Sequence, residues 1–126
     1  MPYVDLNMVL DEAGEADFLH VMRVLVRSSL FHAAGNRPEL LILTDKVLYH
    51  GGTSATNGRF NRVPFVSVLE ASKAGRYIWE CLRLRHMETA GENTVYLCPF
   101  TGSPASPARD ADGMDVLFNQ LKKGCE

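Results

Sequence analysis

Glu39-Leu40-Leu41-Ile42-Leu43-Thr44-Asp45-Lys46-Val47-Leu48-Tyr49-His50-Gly51-Gly52 is the stretch on which the fold turns. Two apolar runs, Leu40–Leu43 and Val47–Tyr49, flank Thr44-Asp45-Lys46. Each run has strand length and is too short for a helix. Thr and Asp side chains can hydrogen-bond the backbone just ahead of them, which is turn chemistry. The stretch therefore predicts a tight β-hairpin in the middle of a mainly β domain.

Outward from this hairpin, strand signals repeat. Met22, Val24 and Val26 alternate with Arg23, Leu25 and Arg27, a period of two with the arginines facing out. Ser28–Pro38 has loop composition, with Gly35, Asn36 and Pro38. On the other side, Gly51–Asn61 reads as a mobile glycine-rich tip. Arg62–Ser72, interrupted by Pro64, reads as one bent strand or two short ones. In Ile78–Met87, Leu82 and Leu84 point one way and Cys81, Arg83 and Arg85 the other. Glu88–Asn93 is a hairpin loop, and Thr94–Phe100 is a strand stopped by Pro99. Thr101–Arg109 is expected to be irregular.

The C-terminus carries the clearest helix. Asp112 is the expected N-cap, and Asp115 sits in the first turn, where negative charge is favoured. Met114, Leu117, Phe118 and Leu121 form one apolar face, and Lys122, Lys123 and Gly124 end the helix. Residues 1–19 form a separate acidic arm: helical, capped by Asp5 and ended by Gly14, or extended.

With 126 residues, 46% of them hydrophobic, the chain suits one globular domain over residues 20–126. No apolar run approaches the ~18 residues of a membrane-spanning helix, and no basic patch and apolar stretch make a secretory signal. The net charge of −2 hides an asymmetry: residues 1–20 hold five acids and no Lys or Arg, and the rest holds all 13 basic residues against ten acids. The body is mildly basic, far from a nucleic-acid-binding signature. Cys81, Cys98 and Cys125 are odd in number and hold no close pair. That argues against a disulfide framework and against a Cys-x-x-Cys metal or redox site, and for a reducing, cytoplasmic setting.

The element string resembles the pleckstrin-homology-like family over roughly residues 20–124. The likeness is carried by Leu41-Ile42-Leu43-Thr44-Asp45-Lys46-Val47-Leu48-Tyr49 as its second and third strands. Val63-Pro64-Phe65 resembles its Ile-Pro-Leu strand, Thr94-Val95-Tyr96-Leu97-Cys98 its last strand, and Asp112–Lys123 its C-terminal helix. The resemblance implies a partial barrel of about seven antiparallel strands in two near-orthogonal sheets, capped by the helix. Phosphoinositide-binding members carry basic residues late in the first strand and entering the second. Here Arg27 and Arg37 take two of those places, while Glu39 stands at the third and Glu88 and Glu92 occupy a further loop. A carboxylate at such a place repels phosphate.

No catalytic constellation emerges. His86-Met87-Glu88 matches half of a zinc-deaminase signature, but the Pro-Cys-x-x-Cys partner is missing. His20, His32, His50 and His86 are scattered and read as strand-end or surface residues. Cys81 and Cys98 read as small buried hydrophobes. The expectation is a non-catalytic protein-interaction or adaptor module, part of a larger protein, with no metal, cofactor or nucleic acid. Its partner surfaces would be a strand edge, the groove between helix and sheet, or Arg76, Tyr77 and Trp79. The alternative is a peripheral membrane module binding anionic lipid or phosphoinositide through Arg27 and Arg37, within a basic rim of Arg23, Arg27, Arg37 and Lys46.

Overall fold

Thr44 shows how locally the hairpin is determined. Its Oγ1 accepts from the Val47 amide at 2.9 Å and the Lys46 amide at 3.2 Å, and donates to the Val47 carbonyl at 3.0 Å. These bonds close the turn at Asp45-Lys46, so that Leu43 faces Leu48 and Ile42 faces Tyr49. The computed structural model describes residues 3–27, 37–53, 56–74, 80–103 and 105–124.

In chain order the elements are β1 (Tyr3–Val4), α1 (Leu6–Gly14), β2 (Leu19–Arg27), β3 (Arg37–Thr44), β4 (Val47–Gly51) and β5 (Phe60–Pro64). A 3-10 turn (Phe65–Ser67) leads into β6 (Val68–Ala74), β7 (Cys81–Glu88), β8 (Gly91–Ser103), β9 (Ser106–Arg109) and α2 (Ala111–Gly124). The strands make one antiparallel sheet in the order β1-β5-β4-β3-β2-β8-β7-β6, with β9 paired to β8. The sheet is not closed. It curls: the turn after β5 touches β7, and residues of β1 and β5 share a groove with the end of β7.

The period of two assigns each strand an inner and an outer face. Inside lie Met22, Val24, Val26, Leu41, Leu43, Leu48, Val63, Leu82, Leu84 and Leu97. Helix α2 lays Met114, Leu117 and Leu121 onto them, each at most 2% exposed. Burying such side chains stabilises by about 1.5–3 kcal/mol each. Outside, Val9 of α1 packs on Ile42, Val47, Tyr49 and Phe60. The Asp5 side chain caps α1 by accepting from the Met8 amide at 2.9 Å. Arg62 clamps the helix to β5, donating to both Glu12 carboxylate oxygens at 2.9 Å.

Several local expectations are corrected. Strand β8 runs through Pro99, which lies opposite Val24, and continues to Ser103. The stretch Thr101–Arg109 is not irregular: it folds back as a hairpin, with Thr101 facing Ala108. Proline lacks only a donor, and the Pro99 carbonyl accepts from the Asp110 amide. Asp110, not Asp112, caps α2, accepting from the Gly113 amide at 2.9 Å. The described part of the loop after β4 is hydrogen-bonded rather than loose: Gly52 donates to Arg59, and Gly58 to Thr53.

Candidate functional site

Helix α2 fills one part of the curled sheet, and a polar mouth opens elsewhere. Arg27 ends β2 and Arg37 begins β3, so the hairpin geometry places Val26 directly opposite Arg37. Both arginines line a cavity of about 240 Å³ together with His50 of β4, Asn61 of β5, and Asn93 and Thr94 of β8. Tyr3 and Glu88 complete the rim. Asn93 donates to Glu88 Oε1 at 3.3 Å. Two arginines lining one space suit an oxyanion such as a phosphate or carboxylate.

Behind the arginines lies a buried ionisable pair. Glu39 is in phase with Leu41 and Leu43, so its side chain turns inward and is only 1% exposed. His50, in phase with Leu48, meets it: Nδ1 lies 2.8 Å from Glu39 Oε1. Arg37 Nη2 lies 3.8 Å from Glu39 Oε2, which accepts no hydrogen bond among the described residues. Glu39 is therefore not displayed toward an incoming phosphate, as the sequence suggested, but withdrawn and charge-compensated.

His86 joins Glu39 and His50 as a buried ionisable residue, in phase with Leu82 and Leu84 and facing Asn93. Its Nε2 has no hydrogen-bond partner among the described residues and lies 3.9 Å from Glu88 Oε1. Burial pushes its pKa below the ordinary histidine value; Glu88 opposes that shift and His50 adds to it. His50 and His86 are thus interior residues, correcting their reading as surface or strand-end positions. The signal was available: extending the Leu82–Leu84 phase by one step puts His86 inside.

The four expected rim residues separate. Arg27 and Arg37 share the cavity. Arg23 is on the outer face, with its guanidinium 4.7 Å from the Phe100 ring centroid and bonded to the Gly102 carbonyl. Lys46 sits in the β3–β4 turn, at the other end of the hairpin, on a groove with Glu15, Asp17, Asp45 and the 98% exposed Val66. Arg76, Tyr77 and Trp79 lie outside the described residues. Arg83 and Arg85 face outward and pair with Glu70 and Glu92.

Cys81 and Cys98 are joined by a disulfide, which overturns the expectation of free thiols. The two face each other across β7 and β8, one step beyond the Leu82–Leu97 pair, with Cα atoms 4.5 Å apart. Leu25, Phe100 and Tyr96 cover the bond. Seventeen residues apart in sequence, they looked unrelated; only the strand register brings them together. Such bonds persist in oxidising surroundings. No helix among the described residues is long and apolar enough to cross a membrane. The chain matches no protein-family model, and no curated protein matches its sequence.

Proposed function

We propose that the chain is a non-catalytic binding module with a pleckstrin-homology-like fold, and that its polar mouth takes an anionic headgroup at a membrane surface. The fold part is supported by the strand order β5-β4-β3-β2-β8-β7-β6 followed by a helix packed on the inner face. That order is the one a seven-stranded partial barrel of this family implies. Strands β1 and β9 and helix α1 are additions to it. The observation that carries the ligand part is the convergence of Arg27 and Arg37 on one cavity while Glu39 turns away. The main sequence argument against phosphate thereby loses its force.

Vesicle co-sedimentation tests this reading. Phosphatidylcholine vesicles containing a phosphoinositide should retain the protein, pure phosphatidylcholine should not, and Arg37→Glu should release it. Arg37 is the better variant because its side chain is 58% exposed; since it also lies 3.8 Å from the buried Glu39 carboxylate, Arg37→Gln is tested beside it. Equal retention by both vesicle types would sink the proposal.

The protein-interaction reading stands second, favoured by the outer edge of β6, which pairs with no further strand among the described residues and where Leu69 is half exposed. A peptide can add to such an edge as a further strand. Protection of the β6 amides from hydrogen exchange by a partner would favour this second reading.

A further inference from the structure

Resting on the anionic-ligand reading above, we propose that His50 is a proton-dependent contact of the cavity, so that oxyanion binding strengthens as pH falls. The argument is one of tautomers. With Glu39 ionised, His50 Nδ1–H donates to Glu39 Oε1 across 2.8 Å. A neutral imidazole has one donor and one acceptor nitrogen. The bond to Glu39 therefore fixes neutral His50 with its other nitrogen, Nε2, as an acceptor. His50 lines the cavity while Glu39, which holds Nδ1, does not, and this leaves Nε2 as the nitrogen on the cavity side of the ring. An acceptor there repels an oxyanion. Protonation converts the same nitrogen into a charged donor without moving the ring, and an N–H now faces the ligand.

The surroundings make this switch specific. The charged and titratable groups around the ring are Glu39 and Arg37 from β3, Arg27 from β2, His86 and Glu88 from β7, and Tyr3 from β1. The two arginines stay charged at all relevant pH and draw the anion in. Glu39 keeps the imidazolium compensated from behind. A second proton on His86 is opposed by burial and by His50 itself, so one histidine, not two, is the switch. The ligand class is a tetrahedral oxyanion small enough for about 240 Å³: a phosphate monoester on a lipid headgroup, or the same group free in solution. Glu39 acts as a positioning residue, since it orients His50 and does not itself line the cavity.

Sulfate is the probe of choice, because its charge is constant where histidine titrates. Titration of the whole chain with sodium sulfate at constant ionic strength, followed by NMR of the histidine rings, gives the result. The expected outcome has three parts. Neutral His50 carries its proton on Nδ1; sulfate shifts the ring's titration midpoint upward; and sulfate affinity falls with rising pH by at most about tenfold per unit, only between the sulfate-free and sulfate-bound midpoints. In His50→Gln, which cannot titrate, the pH dependence disappears. Parallel arms with soluble inositol phosphate and with phosphoinositide vesicles distinguish a free ligand from a membrane headgroup. Sulfate binding that is equal at about pH 5.5 and about pH 7.5, with an unmoved His50 midpoint, overturns the switch and leaves the cavity reading standing. Absence of binding at both overturns both. The wild-type ring titration decides the matter even if His50→Gln fails to fold.

Discussion

Glu39 Oε1 lies 2.8 Å from His50 Nδ1, and the two side chains are only 1% and 7% exposed. A buried pair of this kind is asymmetric in its energetics. Removing one partner leaves the other buried and uncompensated, at about 3–5 kcal/mol, whereas replacing both by apolar groups is often neutral or stabilising. Glu39→Ala should therefore lower stability by about 3 kcal/mol, read from urea unfolding at neutral pH. The double variant Glu39→Leu/His50→Leu should recover most of that loss. If the double variant loses as much as the two single variants combined, the pair is not coupled as described.

His86 gives stability a pH dependence of known sign. Its pKa is lowered in the folded protein by burial. Above the ordinary histidine pKa of about 6.5, both folded and unfolded states hold it neutral, and its contribution is fully present. As pH falls through that value the unfolded chain binds a proton that the folded one refuses, so stability declines. The urea midpoint should drop between about pH 7.5 and about pH 5.5, and His86→Leu should flatten that slope. A wild-type midpoint that rises on acidification would contradict the assignment.

The cysteines offer a count. Denatured without reductant, the chain should expose one reactive thiol, Cys125; after reduction it should expose all three cysteines of the sequence. The closed loop spans a sequence separation of 17, for which the chain-entropy model gives about 3 kcal/mol. The Cys81→Ala/Cys98→Ala pair should lose stability of that order. Three thiols reacting before reduction would show that the strand register places the pair without joining it.

Gly51 and Gly58 both have positive φ, +143° and +73°, yet they should respond differently to alanine. A Cβ on Gly51 would meet the Arg59 carbonyl oxygen at 2.3 Å, whereas one on Gly58 would meet nothing within 4 Å. Gly58→Ala should lose about 1 kcal/mol from backbone strain alone. Gly51→Ala adds a backbone clash where β4 meets β5, and should lose more than about 2 kcal/mol. Thermal unfolding of the two variants side by side decides it, and similar losses would remove the close approach of β4 and β5 as the cause.

Much of the fold was legible in Thr44, which closes its turn through bonds to residues two and three ahead, and in the α2 face of Met114, Leu117 and Leu121. These are local signals of short range. What escaped the sequence depends on register between distant strands. Cys81 meets Cys98, and Pro99 finds a tolerant place opposite Val24. The cap at Asp110 rather than Asp112 is a local bond, to the amide three residues ahead, that the sequence reading placed too late in the chain. The lining of the candidate cavity was half legible. Arg27 and Arg37 were singled out together and do line one cavity, but Arg23 and Lys46 were grouped with them on sign of charge alone. Glu39 was read as displayed toward a ligand, whereas its side chain is buried. The apolar run after it, Leu40–Leu43, is uninterrupted, so it shows no alternation from which to tell inside from outside.

The most direct test of the account is a backbone-amide NMR titration of the whole chain with a soluble inositol phosphate. If the polar mouth is the binding site, shift changes will concentrate at Asn61, Asn93, Thr94 and His50, and Arg37→Glu will abolish them. Changes centred instead on Glu15, Asp17 and Val66 at the other groove, or no changes at all, would contradict the claim that Arg27 and Arg37 form an anion site.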